Sequence, residues 1–451
     1  MKFTQQSSQF SLQIPPFMWH KFRQAMLQTR NTNEEVIGFL FCQRHQISKR
    51  QIRYFPETWV VPASDCYEHQ SASGLVLKQE FHLYLLEKYL SEGLDIVHVH
   101  THAGNQAPNF SGIDDRYEAE YARFLTSSFR KPPRLISGVF DESLQNHKFR
   151  IWNRKGNAVE TVNFYPSWFE LKSQPNIQAH TDLMFARQKI FGEDFQQQLS
   201  ELTVTLIGCG GIGAIFAEQL GRLGVKKWLL IDPDRLETVN LNRMPGAIWR
   251  MTEQRWHKVE YVKQLIKNIY QTGSCVKAIP AAVENESVQK EIGASDLIVV
   301  ATDNHRSRQI AQELAIEYMR PLVCLGTHID VKPDGVPRMY CRVTVPPVGG
   351  DWCLMCGNII NLQRAALESA PMEIESLVGR AGYLEGINDP AVFWLNSICA
   401  STGVGVIQGM VSGCLNVEEG LDWIYQFPQC EWHHTNTDYL TTPDCYFCGA
   451  D

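Results

Sequence analysis

Two Cys-x-x-Cys pairs, Cys353-Leu354-Met355-Cys356 and Cys445-Tyr446-Phe447-Cys448, stand about ninety residues apart, and their type and spacing fit one tetrahedral four-cysteine zinc site. A redox dithiol would use one pair at a helix start and leave the other without a task. A second set is His98-Val99-His100-Thr101-His102, followed by Ser111-Gly112-Ile113-Asp114. Histidines at alternate positions of a strand share a face, so two of them can grip one metal ion. An aspartate completes three ligands and leaves a position for water, as catalytic zinc requires. Glu35, just ahead of the apolar run Val36-Ile37-Gly38-Phe39-Leu40, is the candidate general base.

The third set begins with Gly208-Cys209-Gly210-Gly211-Ile212-Gly213. Glycines there permit a tight turn and close backbone approach, and the following helix offers unpaired N–H groups to phosphate. A nicotinamide dehydrogenase would use the same loop, and Asp232 would bind ribose hydroxyls in either case. Residues further along the chain separate the two: Asp232-Pro233-Asp234, Asn240-Leu241-Asn242-Arg243, Lys258 and Thr302-Asp303-Asn304. Fixed Arg and Lys groups suit a triphosphate, and a carboxylate at the C-terminal edge of the sheet suits Mg2+ bridging phosphates.

These residues need elements to hold them. Up to about residue 156 the chain shows short alternating runs, Ile52-Arg53-Tyr54-Phe55 and Trp59-Val60-Val61, a helix expected over Val76–Glu92, and strands over Asp95–His100 and Phe149–Trp152. This is α+β texture. Residues 157–182 read as a polar linker. From Leu202 strands alternate with helices: Thr203–Ile207, a helix over Ile212–Leu223, then Trp228–Ile231 and Asp296–Val300. That alternation indicates a doubly wound, Rossmann-like α/β fold. The 451 residues thus divide into domains over 1–156 and 183–451, joined by the linker.

Composition narrows the setting. The chain is 44% hydrophobic and 20% charged with net charge −7, and no basic block tracks nucleic-acid phosphates. No apolar run spans a membrane and no secretion signal opens the chain, so a cytoplasmic protein is expected. Cys42, Cys275, Cys324 and Cys341 sit singly in apolar runs, as small buried hydrophobes do.

Over about residues 185–451 the chain resembles the ThiF/MoeB/ubiquitin-activating family of adenylyltransferases. The resemblance rests on Arg187-Gln188, the glycine loop (Gly208, Gly210, Gly211, Gly213), the Asn-Leu-x-Arg motif, Lys258, Asp303 and both cysteine pairs. It implies that Asp232 holds the ribose of ATP, that Asn240, Arg243 and Lys258 hold its phosphates, and that Asp303 binds Mg2+. Arg187 would be an arginine finger supplied across a homodimer interface. Members adenylate the C-terminal carboxylate of a ubiquitin-like protein and release pyrophosphate. Many then capture the acyl group on a cysteine. Cys399, in Ser397-Ile398-Cys399-Ala400-Ser401-Thr402, precedes a glycine-rich helix expected over Gly405–Leu415. It reads either as that nucleophile or as a buried packing residue.

The first domain resembles the JAMM/MPN metalloproteases, which cleave after the C-terminal glycine of ubiquitin-like proteins. Their pattern is Glu-x-x-Gly, His-x-His-Pro, a serine and an aspartate three residues on. Glu35, Gly38, Ser111 and Asp114 match. The resemblance implies zinc on His100, His102 and Asp114, water activated by Glu35, and Ser111 stabilising the oxyanion. Ala103 stands in place of the proline and the His102-to-Ser111 spacing is one residue longer, which leaves open a His98/His100 register and a domain that only docks the modifier. Taken together, the expected partners are a ubiquitin-like or sulfur-carrier protein and a conjugating enzyme, with no nucleic acid and no membrane. Protein conjugation and sulfur transfer for cofactor biosynthesis both stay open.

Overall fold

In the first unit the short apolar runs become strands with an apolar core on either side, so that Phe10–Gln13 and Leu135–Phe140 are buried throughout. The computed structural model describes residues 10–29, 34–48, 51–71, 74–91, 93–102, 108–166, 183–270, 273–331, 337–369, 390–442 and 444–448. The chain divides into Met1–Glu170 and Leu171–Asp451. The first unit runs β1 (Phe10–Gln13), α1 (Pro16–Gln28), β2 (Ile37–Ser48), β3 (Gln51–Val60), β4 (Tyr67–Ser71), β5 (Gly74–Leu77), α2 (Gln79–Leu85), β6 (Asp95–Thr101), α3 (Gly112–Ser128), β7 (Leu135–Phe140), β8 (His147–Trp152) and β9 (Ala158–Tyr165).

The α+β texture resolves into a closed barrel, ordered β1-β3-β2-β6-β7-β8-β9 and shut by β1 pairing parallel to both β3 and β9. Val97 and Val99 of β6 enter a core with Leu12, Phe22, Leu40 and Phe149. Ile96 faces the other way, into a second core with Leu85 and Leu90 and with Ala122 and Leu125 of α3. The histidines alternate with the valines, so they share the Ile96 face and lie under α3.

Three expectations change here. Residues 157–166 are not linker: β9 pairs with β8 and β1 and buries Val162, because its alternation is that of a half-buried strand. The remainder of that linker, 167–182, lies outside the described residues. The helix expected over Val76–Glu92 starts at Gln79, since Gly74–Leu77 pairs with β4, and it widens into a π turn over Leu86–Leu90. The two short runs before it fuse into β3.

The second unit runs α4 (Glu193–Glu201), β10 (Thr203–Ile207), α5 (Gly211–Leu223), β11 (Lys227–Ile231), α6 (Trp249–Glu253), α7 (Lys258–Ile269), β12 (Cys275–Ile279), α8 (Glu286–Ile292), β13 (Leu297–Val300), α9 (His305–Glu317), β14 (Leu322–Val331), β15 (Pro337–Val345), α10 (Leu362–Glu368), α11 (Phe393–Ser412), β16 (Leu421–Phe427) and β17 (Glu431–His434). One sheet, ordered β12-β11-β10-β13-β14-β15-β16-β17, contains the strands. It is parallel from β12 to β14 and antiparallel from β14 to β17. Chain order reverses between β10 and β13, and open α/β sheets bind ligands at the carboxyl ends of such a pair. Helix α11 begins at Phe393 and not at the expected Gly405, and it packs along α5. Among the described residues no helix is long and apolar enough to cross a membrane.

Candidate functional sites

The glycines after β10 do different work. Gly208 has φ +94°, a conformation few side chains tolerate, and a Cβ there would lie 2.8 Å from Ala301 O. A Cβ on Gly213 would lie 2.0 Å from Gly208 O, so this position closes the turn onto itself. Gly210 faces open space, where a ligand can approach the backbone. Beside it, α5 presents its unpaired N–H groups.

Around this loop the sequence-predicted residues converge. Buried Asp232 accepts Cys209 N–H at 2.7 Å and Asp234 N–H at 2.8 Å, which fixes its carboxylate beside the loop. Burial raises its pKa, against the pull of Lys258. Lys258 Nζ donates to Asp234 Oδ2 at 2.7 Å. Burial alone would lower this ammonium, but Asp232 and Asp234 outweigh it and hold it above the usual lysine range, with Asp303 adding to the same field. Arg243 donates to Val239 O at 2.7 Å, and its Cγ and Cδ lie over Gly211. Asn240 accepts Glu237 N–H through Oδ1, so its carbonyl holds a turn while the amide nitrogen keeps its donors. Asp303 is exposed, two residues beyond the Ala301 that abuts Gly208 and directly ahead of Asn304, the cap of α9.

Arg187 is not brought to this loop. It is exposed on a 3-10 turn, Leu183–Phe191, whose Gln188 donates to Arg222 O in the last turn of α5. Arg222 is eleven residues from Gly211, which along a helix is about 16 Å. Its own phosphate site is therefore out of reach of Arg187.

The two cysteine pairs do meet. Sγ separations are 3.7 Å for Cys353–Cys356, 3.6 Å for Cys353–Cys445 and 3.5 Å for Cys356–Cys448. A tetrahedron of Zn–S bonds has edges of about 3.8 Å, so this donor set fits zinc. Cys399 behaves differently. It lies in the second turn of α11, fully buried, with its thiol directed at Gly326 O (3.5 Å) and Arg342 O (3.6 Å). Hydrogen bonding with Cys341, then burial, pushes that thiol well above its ordinary pKa. The helix starts at Phe393, six residues before Cys399, so this cysteine lies inside the helix and not just ahead of it.

In the first unit α3 crosses the histidine face of β6. Four helical residues advance about 6 Å, close to the ~6.6 Å of two strand residues. Asp114 and Glu118 are thereby matched in step to the alternating histidines. His100 Nε2 lies 3.2 Å from His102 Nε2 and 3.5 Å from Asp114 Oδ1, and His102 Nε2 lies 3.6 Å from Asp114 Oδ2. Zinc held by nitrogen and oxygen at about 2.0–2.2 Å needs edges near 3.3–3.6 Å. That set fits.

His98 instead lies 3.2 Å from Glu118 Oε1. Glu118 also accepts Arg150 Nε (2.9 Å) and Nη2 (2.6 Å) and Trp152 Nε1 (3.1 Å). The Arg150 guanidinium already supplies a cation, which opposes a metal ion on His98 and Glu118. Sequence reasoning missed Glu118 and Arg150, although the four-residue step from Asp114 pointed to the former.

Ser111 caps α3. Its Oγ accepts Asp114 N–H at 3.1 Å and its N–H donates to Asp114 Oδ2 at 2.6 Å, which leaves the hydroxyl hydrogen free to donate. Burial of His100 lowers its pKa, whereas its bond to Asp114 raises that of His102. Burial would raise Asp114, but the two histidines outweigh it and hold the carboxyl well below the usual range. Register places Glu35 opposite His102, since Ile37 pairs with His100. Burial lifts Glu35 to about 7, with His102 opposing and Asp114 assisting.

Residues 185–384 match the model of the ThiF family. The sulfur carrier protein ThiS adenylyltransferase of Bacillus subtilis is 27% identical over 184 residues, 39% of this chain and 54% of its own length. The chain therefore spans about half of that relative. The SAMP-activating enzyme E1 of Haloferax volcanii is 23% identical over 270 residues, 57% of this chain and 84% of its own. Among solved structures, that of E. coli MccB with MccA-N7isoASN covers 60% of this chain and 76% of its own at 16% identity, with a TM-score of 0.48. The unit that carries the glycine loop is a ThiF/E1-like domain.

Proposed function

We propose that the second unit adenylates the C-terminal glycine of a ubiquitin-like or sulfur-carrier protein, using ATP and Mg2+. The carrying observation is the convergence of Asp232, Arg243 and Lys258 on a glycine loop inside the ThiF match. Asp232 would hold the ribose, and the α5 N-terminus, Asn240, Arg243 and Lys258 the phosphates. Asp303 would hold Mg2+, which supplies charge neutralisation between phosphates. The substrate carboxylate attacks the α-phosphorus, the bond to the bridging oxygen breaks, and pyrophosphate leaves with the negative charge. Positioned cations are what such a transfer requires of the protein.

A homodimer would supply Arg187 to the partner's loop. Its distance from its own loop supports this, as do Leu183 and Ile190, 87% and 86% exposed on the same turn. The relatives, one acting on a sulfur carrier protein and one activating SAMP, support a small carrier protein as the substrate. The burial of Cys399 favours hand-over of the acyl-adenylate without a thioester on that residue. For the first unit, we infer a zinc peptidase that matures or removes the modifier, with the metal on His100, His102 and Asp114. Zinc there would supply Lewis-acid polarisation of the scissile carbonyl. Glu35, set opposite His102 by the β2–β6 register, can take a proton at its carboxylate and return it to the leaving amine, and Ser111 can donate to the oxyanion.

Pyrophosphate exchange into ATP, measured with candidate ubiquitin-like and sulfur-carrier proteins, tests the adenylation. Exchange should depend on the carrier's terminal glycine and fall at least ~100-fold in Asp303→Ala, as loss of a metal-holding carboxylate implies. Exchange that persists in this variant overturns the assignment.

A further inference from the structure

Asn396 lies within the first turns of α11 and is 2% exposed. Its Oδ1 accepts the Thr327 hydroxyl of β14 at 3.1 Å, which fixes the orientation of the amide. The Nδ2 donors are thereby turned toward α5: a Cβ on Gly211 would stand 2.6 Å from Asn396 Nδ2. Among the described residues no acceptor meets that nitrogen. An amide nitrogen that no protein acceptor meets keeps its N–H donors available to a ligand. The open face at Gly210 and the unpaired N–H groups of α5 lie at the same place.

We propose that Asn396 is a phosphate-binding residue of the nucleotide site, donating Nδ2–H to a phosphate oxygen of ATP held at the α5 N-terminus, with Thr327 as its positioning residue. This rests on the adenylation reading and adds a neutral donor, from a helix nearly two hundred residues downstream, to the cations Arg243 and Lys258. Gly211 has a role in the same contact, since any side chain there would displace the amide.

Asn396→Asp separates ligand binding from structure. The aspartate keeps the shape of the side chain and the acceptor for Thr327, but sets a carboxylate oxygen where the donor stood. Binding of MgATP, measured by calorimetry on the full chain without any protein substrate, is the readout. A hydrogen bond to a charged group implies about 10- to 100-fold weaker binding in Asn396→Ala, and weaker still in Asn396→Asp. Thr327→Val, which frees the amide to rotate, should weaken binding by about 5-fold. The thermal midpoint of ligand-free Asn396→Asp should stay within about 3 °C of the parent. Binding of MgATP by Asn396→Asp as tight as by the parent overturns the proposal while leaving the adenylation reading intact. Absence of binding by the parent itself overturns that reading and the proposal with it. Equal weakening by Asn396→Asp and Asn396→Ala, with both midpoints lowered alike, assigns Asn396 a purely structural role and also overturns it.

Discussion

Lys258 stands at the first position of α7, where the helix dipole disfavours a cation by roughly 0.3–1 kcal/mol. Asp234 at 2.7 Å and the buried Asp232 hold it there, a local cost that suits a residue positioned for an anionic ligand. Cys399 obeys the opposite logic. A nucleophilic thiol needs exposure and a depressed pKa, and this one has neither, lying between α11, Gly326 and Arg342. Cys399→Ala should therefore cost about 1 kcal/mol of stability through lost packing. Pyrophosphate exchange should stay within about twofold of the parent, a change far below that expected for a residue acting in the transition state. Exchange assays and urea titrations check both expectations. A reducible carrier adduct that forms with the parent and disappears in Cys399→Ala would restore the nucleophile role.

At the scale of elements, legibility followed locality. The glycine loop and the histidine strand were readable because their chemistry lies within a few consecutive residues. The start of α11 was not. Its first turns are set by residues distant in sequence: Asn396 meets Thr327, Cys399 meets Gly326 and Arg342, and Gly403 lets Leu325 approach closely. Strand β9 was hidden because Val162 and Phe164 join a core that includes β1 and α1, some 150 residues earlier. Asn396 carried no local signal at all, since what it touches is the far side of a helix–helix contact.

The same contacts yield a prediction about α5. The clash of a Cβ with Gly208 O means that Gly213→Ala must open the turn, with a cost of about 1–3 kcal/mol and loss of MgATP binding. Gly38→Ala tests the analogous close approach in the barrel. It forces Phe22, on α1, out of its seat, so the second change Phe22→Leu should recover part of the lost stability. Denaturant titration of the two singles and the double reads the coupling. Strict additivity would show that Phe22 is not what Gly38 accommodates.

For the molecule as a whole, the two units offer two metal-binding geometries of different kinds. Four sulfurs within 4.8 Å of one another, three of their separations being 3.5–3.7 Å, leave no open position and join residues 353–356 to 445–448, the arrangement of a structural ion whose binding energy is folding energy. Two histidines and one aspartate leave one coordination position open, the arrangement of a catalytic ion. Protein prepared with zinc should then contain about two ions per chain. Cys445→Ala should remove one and lower the thermal midpoint of the second unit. His102→Ala should remove the other and leave pyrophosphate exchange unchanged, because its ligands are confined to the first unit. Glu35→Gln should keep both ions and abolish cleavage of a carrier extended beyond its terminal glycine, as expected of a proton-transfer group that is not a ligand. Metal content measured on these variants, beside a cleavage assay, separates the roles. A parent with a single ion that His102→Ala does not disturb would remove the basis for a peptidase, while leaving the adenylation site of the second unit untouched.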